Sequence, residues 1–126
     1  MNAVIDASAL LAVLLDEQGA TTVIPVMRGS AISALNASEC FSRAVDRGAS
    51  AGGVAAMLRD FEMEVVSFGL HEAQAVADLR PRMRAVGASL GDRACLALAM
   101  ARTAPLYTGD RRLADLDLGI DIRLIR

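Results

Sequence analysis

Short apolar runs alternate with longer amphipathic segments along the chain. The apolar runs predict strands at residues 3–5, 31–33, 64–67, 105–108 and 120–125. The longer segments predict helices at residues 10–15, 21–27, 36–47, 54–61, 71–79 and 90–102, the fifth of which should end before Pro81. This alternation favours a parallel sheet covered on both faces. We therefore expect an α/β fold, a three-layer α/β/α sandwich around a parallel sheet of about five strands, in one domain spanning residues 1–126.

Four carboxylates lie where the predicted sheet meets a loop or the start of a helix. Asp6 ends the first strand, Glu39 lies in the helix after the second, Asp92 begins the helix at 90–102, and Asp110 follows the fourth strand. The functional crevice of such a sheet lies beyond the carboxyl ends of its strands, so all four acids can face one end. Converging acids repel one another unless a divalent cation lies among them. The pattern therefore points to metal-dependent chemistry on phosphate.

Each acid also has a purely structural explanation. Asp6 can cap a helix, Glu39 can pair with the arginine four residues later, and Asp110 can cap the turn that follows it. The segment 89–92 fits a capping box, which gives Asp92 a structural role as well. However, positions 92, 95, 96, 99 and 100 share one helix face, so the Asp92 carboxylate heads a stripe that should be buried. A buried acid needs a counter-charge or a metal.

Composition narrows the chemistry. All 13 basic residues are arginine, the net charge is −2, and His71 is the single histidine. Without lysine the chain has no Schiff-base lysine, P-loop lysine or serine–lysine dyad, and it lacks the lysine of a response-regulator receiver domain. One histidine also excludes a metal-free nuclease that uses a His/His or His/Lys acid–base pair.

Cysteine usage and hydropathy indicate the environment and the partners. Cys40 and Cys95 lack metal-ligand spacing, so we expect two buried, reduced thiols. The apolar start has no basic region and carries Asp6, and no apolar run is long enough to cross a membrane, which favours a cytoplasmic protein without membrane association. A hydrophobic content of 54% exceeds the ordinary range of about 45–50%. We therefore expect apolar surface covered by an obligate partner or a second copy.

Four short segments surround the acids. They read Val-Ile-Asp-Ala-Ser-Ala-Leu at 4–10, Ser-Ala-Leu-Asn-Ala-Ser-Glu at 33–39, Leu-Gly-Asp-Arg-Ala-Cys-Leu-Ala-Leu-Ala at 90–99 and Leu-Tyr-Thr-Gly-Asp at 106–110. Each segment is weakly specific alone. In order, spacing and chain length, the set resembles the PIN domain, most closely the VapC-type toxins of bacterial type II toxin–antitoxin systems.

This resemblance implies an Mg²⁺- or Mn²⁺-dependent endoribonuclease, often acting on tRNA or rRNA, in which a metal-activated water attacks the phosphodiester. It implies four metal-binding catalytic acids and two supporting hydroxyls, namely Asp6, Glu39, Asp92 and Asp110 with Ser8 and Thr108. We expect Asp6 and Asp92 to ligate directly, Glu39 to ligate a second ion or position the water, and Asp110 to act largely through water. The family also implies a cognate antitoxin that blocks the site, so we expect a homodimer or a toxin–antitoxin hetero-oligomer.

An acidic pocket must still receive RNA, and arginines are the candidates for binding its phosphates. The candidates are the dense stretch Arg80, Arg82 and Arg84 at the rim of the groove, together with Arg93 and Arg111 beside the acids. Solvated loop arginines, or arginines paired with those acids, are the alternative explanation.

Two other functional classes remain open. A haloacid-dehalogenase-like phosphatase, another metal-dependent phosphohydrolase, places a second aspartate two residues after the first, where this chain has Ser8. A catalytically silent interaction module would use the acids only as helix caps and the apolar surface for a partner. A measurement of activity discriminates among the three.

Overall fold

The computed structural model describes residues 2–126, in which strands and helices alternate. The strands are β1 (Val4–Ile5), β2 (Ala31–Ser33), β3 (Glu64–Val66), β4 (Leu106–Thr108) and β5 (Ile122–Leu124). The helices are α1 (Ala7–Leu14), α2 (Ala20–Met27), α3 (Ala34–Asp46), α4 (Ala51–Asp60), α5 (Leu70–Met83) and α6 (Leu90–Arg102). Two short 3-10 helices occupy Arg84–Val86 and Arg111–Leu113.

The five strands form one parallel sheet in the order β3-β2-β1-β4-β5. Val4 in β1 pairs with Ala31 of β2 on one side and with Leu106 of β4 on the other. The strand order therefore reverses at β1, and a crevice opens beyond the carboxyl ends of β1 and β4. The predicted parallel sheet is confirmed, and this crevice is where the acids were expected.

Alternate residues of the central strands pack on opposite faces of the sheet, as the period of two requires. Ile5 and Tyr107 belong to the core under α1, α2, α3 and α4, whereas Val4 and Leu106 belong to the core under α5 and α6. Helices thus cover both faces, which confirms the predicted three-layer α/β/α sandwich. Both faces of β1 are buried, so Asp6 directly after it is drawn toward the interior.

The predicted end of the fifth helix before Pro81 is wrong, because α5 continues through Pro81 to Met83. Proline removes the hydrogen bond to the carbonyl four residues earlier, which here belongs to Ala77. Ala77 is exposed, so water can satisfy that carbonyl. Leu79 and Met83, one on each side of the proline, are buried and hold the last turn against the core.

Two smaller expectations concern the thiols and the membrane. Cys40 and Cys95 are both buried and free, as predicted. Within residues 2–126, no helix combines the length and the apolar character that a membrane crossing requires.

Candidate metal and nuclease site

The structure brings the four predicted acids into one cleft of about 110 Å³ beyond the carboxyl ends of β1 and β4. We call this the acid cleft, and its lining comprises Asp6, Ala7, Ser8, Asn36, Glu39, Gly91, Asp92, Cys95 and Asp110. The acids come from four separate segments: Asp6 directly follows β1, Glu39 and Asp92 lie in α3 and α6, and Asp110 lies in the turn after β4. The convergence expected from the strand ends is therefore observed.

Asp6 is the most buried of the four acids, with 5% of its surface exposed. Its Oδ1 accepts hydrogen bonds from Ser8 Oγ at 2.7 Å and from the Ala9 backbone N–H at 2.8 Å, so Asp6 does cap α1. Its Oδ2 accepts from Thr108 Oγ1 at 2.5 Å. Burial raises the pKa of Asp6 above its ordinary value, and the charge of Asp92 adds to this, while the three hydrogen bonds oppose it.

The hydroxyls of Ser8 and Thr108 connect Asp6 to the turn that carries Asp110. Ser8 Oγ accepts from the Gly109 N–H at 2.8 Å, and Thr108 Oγ1 accepts from the Asp110 N–H at 3.0 Å. Each hydroxyl therefore donates to Asp6 and accepts from the turn after β4. This arrangement gives both residues the carboxylate-orienting position that the sequence predicted for them.

Asp92 and Asp110 also help to cap α6 and the 3-10 helix at Arg111–Leu113, which confirms the capping roles expected from the sequence. Asp92 Oδ2 accepts from the Ser89 N–H at 2.9 Å, while Ser89 Oγ accepts from the Asp92 N–H at 3.1 Å, which completes a capping box. Asp110 Oδ1 accepts from the Arg112 N–H at 3.0 Å. Capping uses only part of each carboxylate and leaves further lone pairs toward the cleft.

Arg112 supplies the counter-charge for these two acids. Its Nη2 lies 2.6 Å from Asp110 Oδ2 and 3.2 Å from Asp92 Oδ2, and its Nε lies 3.1 Å from Asp110 Oδ1. Its Nη1 donates to the carbonyls of Val86 and Gly87. The hydrogen bond from Arg112 lowers the pKa of Asp110 below its ordinary value. One guanidinium thus occupies ligand positions that a cation would need.

Glu39 lines the acid cleft beside two residues that the sequence analysis did not single out, Asn36 and Gly91. Asn36 Nδ2 donates to the Gly91 carbonyl at 3.1 Å, which joins α3 to the first turn of α6. An added Cβ at Gly91 would overlap Oε1 of Glu39, so only glycine allows this close approach. Desolvation raises the pKa of the Glu39 carboxyl group, while the Asn36 side chain lowers it by hydrogen bonding. In the described chain, Glu39 forms no ion pair with Arg43, so that alternative is not observed.

A signal for both residues was present in the sequence. Asn36 precedes Glu39 by three positions and therefore shares its helix face, and a glycine in the first turn of a helix is unfavourable without a packing reason. The partner of each residue lies more than fifty positions away, so the signal could not be interpreted locally.

The predicted RNA-binding arginines separate into groups. Arg80, Arg84 and Arg93 line a second cleft of about 330 Å³, together with Met83, Gly87 and Ala88. Arg82 points elsewhere and donates to the Asp117 carbonyl at 3.2 Å. Arg111 is exposed, and within residues 2–126 it makes no side-chain hydrogen bond or ion pair.

The donor set of the acid cleft fits a hard divalent cation. Within residues 2–126, no three His, Cys, Asp or Glu side chains stand close enough to form a ready-made ligand set. The cleft nevertheless combines four carboxylates with Asn36 Oδ1, a buried oxygen that has no hydrogen-bond partner among the described residues. Carboxylate and amide oxygens are ligands of hard divalent ions, and Mg²⁺ usually retains several waters and is held by only one or two carboxylates.

Comparison with known proteins agrees with this geometry. The chain matches the family model for the PIN domain over residues 3–118. Among solved structures, a toxin–antitoxin complex from Klebsiella pneumoniae superposes with a TM-score of 0.79 at 17% identity, covering 99% of this chain and 98% of that one. VapBC2 from Rickettsia felis, bound to a DNA fragment from its promoter, gives 0.71 at 14% identity, with 98% of each chain covered.

A third solved structure, the toxin–antitoxin system VapBC-5 from Mycobacterium tuberculosis, gives a TM-score of 0.58 at 21% identity, covering 99% of this chain and 98% of that one. At these identities the likeness shows the fold alone. No curated protein sequence matches this chain.

Proposed function

Because this chain belongs to the PIN domain family, we propose that it is a metal-dependent endoribonuclease and the toxin of a toxin–antitoxin pair. PIN domains of VapC toxins are nucleases in general, and PIN nucleases generally use divalent metals. The observation that carries the proposal is the meeting of Asp6, Glu39, Asp92 and Asp110 in one cleft at the switch point of the sheet. A cation bound among these carboxylates would relieve their mutual repulsion, so the cleft is suited to cation binding.

The ligands follow from the position of each acid. Asp6 and Asp92 would hold an Mg²⁺ or Mn²⁺ ion directly, with Glu39 and Asp110 completing the site directly or through water. An ion held there would supply a water of lowered pKa for attack on the phosphorus, and positive charge beside the leaving oxygen. Ser8 and Thr108 hold both oxygens of Asp6, so its carboxylate is fixed before any ligand arrives.

The haloacid-dehalogenase alternative is weakened by the residue at the second position of its motif. Ser8 donates to Asp6 and accepts from Gly109, so its hydroxyl is committed to orienting another side chain. A hydroxyl in this place cannot act as the second carboxylate of that class. The silent interaction module is weakened by the acids themselves, because helix capping explains neither Glu39 nor the burial of Asp6.

A partner antitoxin is the second part of the proposal. The three related structures are described as toxin–antitoxin or VapBC complexes, which supports a similar assembly here. The surface offers several exposed large apolar side chains that such a partner, or a second copy of this chain, would cover, namely Ile24, Val45, Val65, Leu70 and Leu90.

The test is cleavage of total RNA and of transfer RNA in Mg²⁺, Mn²⁺ or EDTA, with the wild type beside Asp6→Asn. We expect metal-dependent cutting that the variant loses, because a carboxylate that would hold the ion is removed. Asp115→Asn, an exposed aspartate outside the acid cleft, is the matched control and should cut normally. Equal cutting by Asp6→Asn, or cutting that persists in EDTA, would overturn the metal mechanism. A folded wild type that cuts no RNA in either metal would overturn the proposed nuclease function.

A further inference from the structure

The second cleft, which we call the arginine cleft, gathers positive charge without acids. Its lining consists of Arg80, Met83, Arg84, Gly87, Ala88 and Arg93. Three of these six residues are arginines, and no carboxylate lines the cleft. Like charges that converge favour a ligand of opposite charge, by the same argument that applies to the acid cleft with the sign reversed.

Two of these guanidinium groups have no partner in the described chain. Arg80 and Arg84 donate no hydrogen bond and form no ion pair within residues 2–126, whereas Arg102 and Arg123, for example, each pair with a carboxylate. Arg93 is held in place by a hydrogen bond from its Nη1 to the Val76 carbonyl at 3.0 Å. The cleft therefore has one positioned cation and two that are free to close on a ligand.

Helix dipoles do not explain this cluster. The C-terminal end of α5 favours positive charge, which accounts for Arg80 and Arg84 taken singly. These two residues lie four positions apart, however, and like charges at that spacing repel each other. Arg93 lies in the first turns of α6, where the dipole disfavours a cation. Its hydrogen bond to the Val76 carbonyl joins α6 to α5 and fixes its guanidinium group at this cleft.

The two clefts share a wall. Gly87 lines the arginine cleft, and its carbonyl accepts from Arg112, whose guanidinium contacts Asp92 and Asp110 in the acid cleft. Arg93, which lines the arginine cleft, directly follows Asp92, which lines the acid cleft. An RNA strand that crosses the acid cleft would therefore reach the arginine cleft next.

We propose that the arginine cleft binds a backbone phosphate of the RNA, adjacent to the phosphate held at the acid cleft. This proposal rests on the nuclease function proposed above and specifies how an acidic site retains a polyanion. In this proposal Arg93, which is held by Val76, binds the phosphate in a fixed position. Arg80 and Arg84 neutralise its charge from the end of α5. Guanidinium groups suit this role because they donate in pairs to phosphate oxygens.

The test measures binding of a labelled single-stranded RNA in EDTA, with every protein in the Asp6→Asn background so that no cutting occurs. The variant is Arg80→Ala with Arg84→Ala. The control is Arg43→Ala with Arg47→Ala, an arginine pair of the same spacing at the end of α3 that lines neither cleft. We expect the variant to bind about tenfold more weakly and its salt dependence, d log K/d log[salt], to shrink by about 0.7, the value for one lost phosphate contact on a single strand.

Several results would overturn the proposal. Equal binding by the variant and its parent would show that Arg80 and Arg84 do not bind the RNA. An equal loss in the control would show that only the net charge matters. Thermal stabilisation by inorganic phosphate that depends on Arg80 and Arg84, with RNA binding unchanged, would assign the cleft to a free anion. Binding of a polyglutamate peptide that depends on this pair, again with RNA binding unchanged, would assign it to an acidic protein partner.

A cleavage assay in the Asp6 wild-type background separates this proposal from the one on which it rests. If the chain cuts RNA with the same KM before and after Arg80→Ala with Arg84→Ala, the nuclease proposal stands and the proposal for the arginine cleft is wrong. We expect KM to rise about tenfold with kcat retained, since these residues bind the strand and do not touch the reacting phosphate. If the chain neither binds nor cuts RNA, both proposals are wrong.

Discussion

The acid cleft and the arginine cleft lie on either side of the segment that leads into α6, and they hold their charged groups differently. In the acid cleft, both oxygens of Asp6 are hydrogen-bonded, and Asp92 and Asp110 are each bonded to backbone N–H groups and to Arg112. In the arginine cleft, Arg80 and Arg84 are exposed and make no such bonds within residues 2–126.

This difference matches the ligand proposed for each cleft. A small divalent ion needs oxygens at set distances, so its ligands are fixed in advance by neighbouring donors. A polymer of phosphates needs charge that adapts to its path, and long exposed arginines supply it. We therefore expect substitutions that loosen the acid cleft to act on metal binding and catalysis, and substitutions in the arginine cleft to act on substrate binding.

Among the residues that support the acids, the largest effect is expected from Thr108→Val, which keeps the shape of a fully buried side chain and removes its hydroxyl. The change leaves Asp6 Oδ2 and the Asp110 N–H without their shared partner. We expect metal affinity to fall by about 100-fold, the upper range for residues that orient a ligand, and the free energy of unfolding to fall by about 1–3 kcal/mol. Calorimetric titration with Mn²⁺ and thermal melting measure the two effects. Thr108→Ser, which keeps the hydroxyl, should bind the metal like the wild type. Metal binding as weak as that of Thr108→Val would show that the hydroxyl does not position Asp6.

A smaller loss is expected from Gly91→Ala, because the added Cβ displaces the carboxylate of Glu39. The far end of a glutamate moves easily, so the stability of the fold should change little while metal affinity and cleavage fall by about tenfold. Gly52→Ala is the matched control, since it also alters the second residue of a helix but has open space around it. Unchanged cleavage by Gly91→Ala would show that the position of Glu39 is not critical.

The opposite sign is expected from Arg112→Gln. This guanidinium occupies oxygens of Asp92 and Asp110 that a divalent ion would use, so its removal should tighten Mn²⁺ binding, on the order of fivefold, as expected for an exposed charge. Arg111→Gln removes the neighbouring charge without touching either acid and serves as the control for net charge. Weaker Mn²⁺ binding by Arg112→Gln would mean that the arginine supports the ligand geometry instead of competing with the ion.

The smallest effect is a pH dependence of stability without metal. Burial raises the pKa of Asp6 above its ordinary value of 3.8, so in the window above 3.8 the folded chain binds more protons than the unfolded chain. Wild-type stability therefore decreases as pH rises through that window, and Asp6→Asn escapes this loss. The melting temperature of Asp6→Asn minus that of the wild type, measured in EDTA, should increase from about pH 4 upward and then level off. A difference that is constant with pH, or a similar trend in Asp115→Asn, would contradict the raised pKa.

The reactivity of the thiols offers an independent check of burial near the acid cleft. Burial raises the pKa of Cys40 to about 12, and burial also raises the pKa of Cys95, which lines the cleft. Thiolates are the reactive species, so alkylation of the folded protein near neutral pH should be much slower than that of the denatured protein. Rapid alkylation in the folded state would show that the cleft opens more widely than the structure indicates.

Local patterns were sufficient for the helix with the clearest amphipathic face. The helix predicted at 90–102 is α6, with the same bounds, and its predicted stripe of Cys95, Leu96 and Ala99 is buried. The capping box at 89–92 was also readable, because capping connects residues only three positions apart. The predicted end of the helix at Pro81 was wrong, because whether a helix can continue through a proline depends on the packing of the residues around it, which the sequence does not show.

The acids were predictable as a set because each follows a strand or begins a helix, and parallel strands bring their carboxyl ends to one edge. The sequence by itself therefore determined the alternation of strands and helices, the parallel sheet and the edge at which the four carboxylates meet. The alternation follows from periodicity, and the shared edge follows from the common direction of parallel strands.

The tertiary structure alone decided how those charges are partnered. It joined Asn36 to Gly91 across 55 positions, set Arg112 against Asp92 across 20, and placed Arg93 beside Arg80 and Arg84 while Arg82 pointed away. Such pairings arise from the packing of α3 against α6 and of the turn after β4 against the loop before α6. No local pattern encodes them, because the partner of each side chain is set by the arrangement of elements distant in the chain.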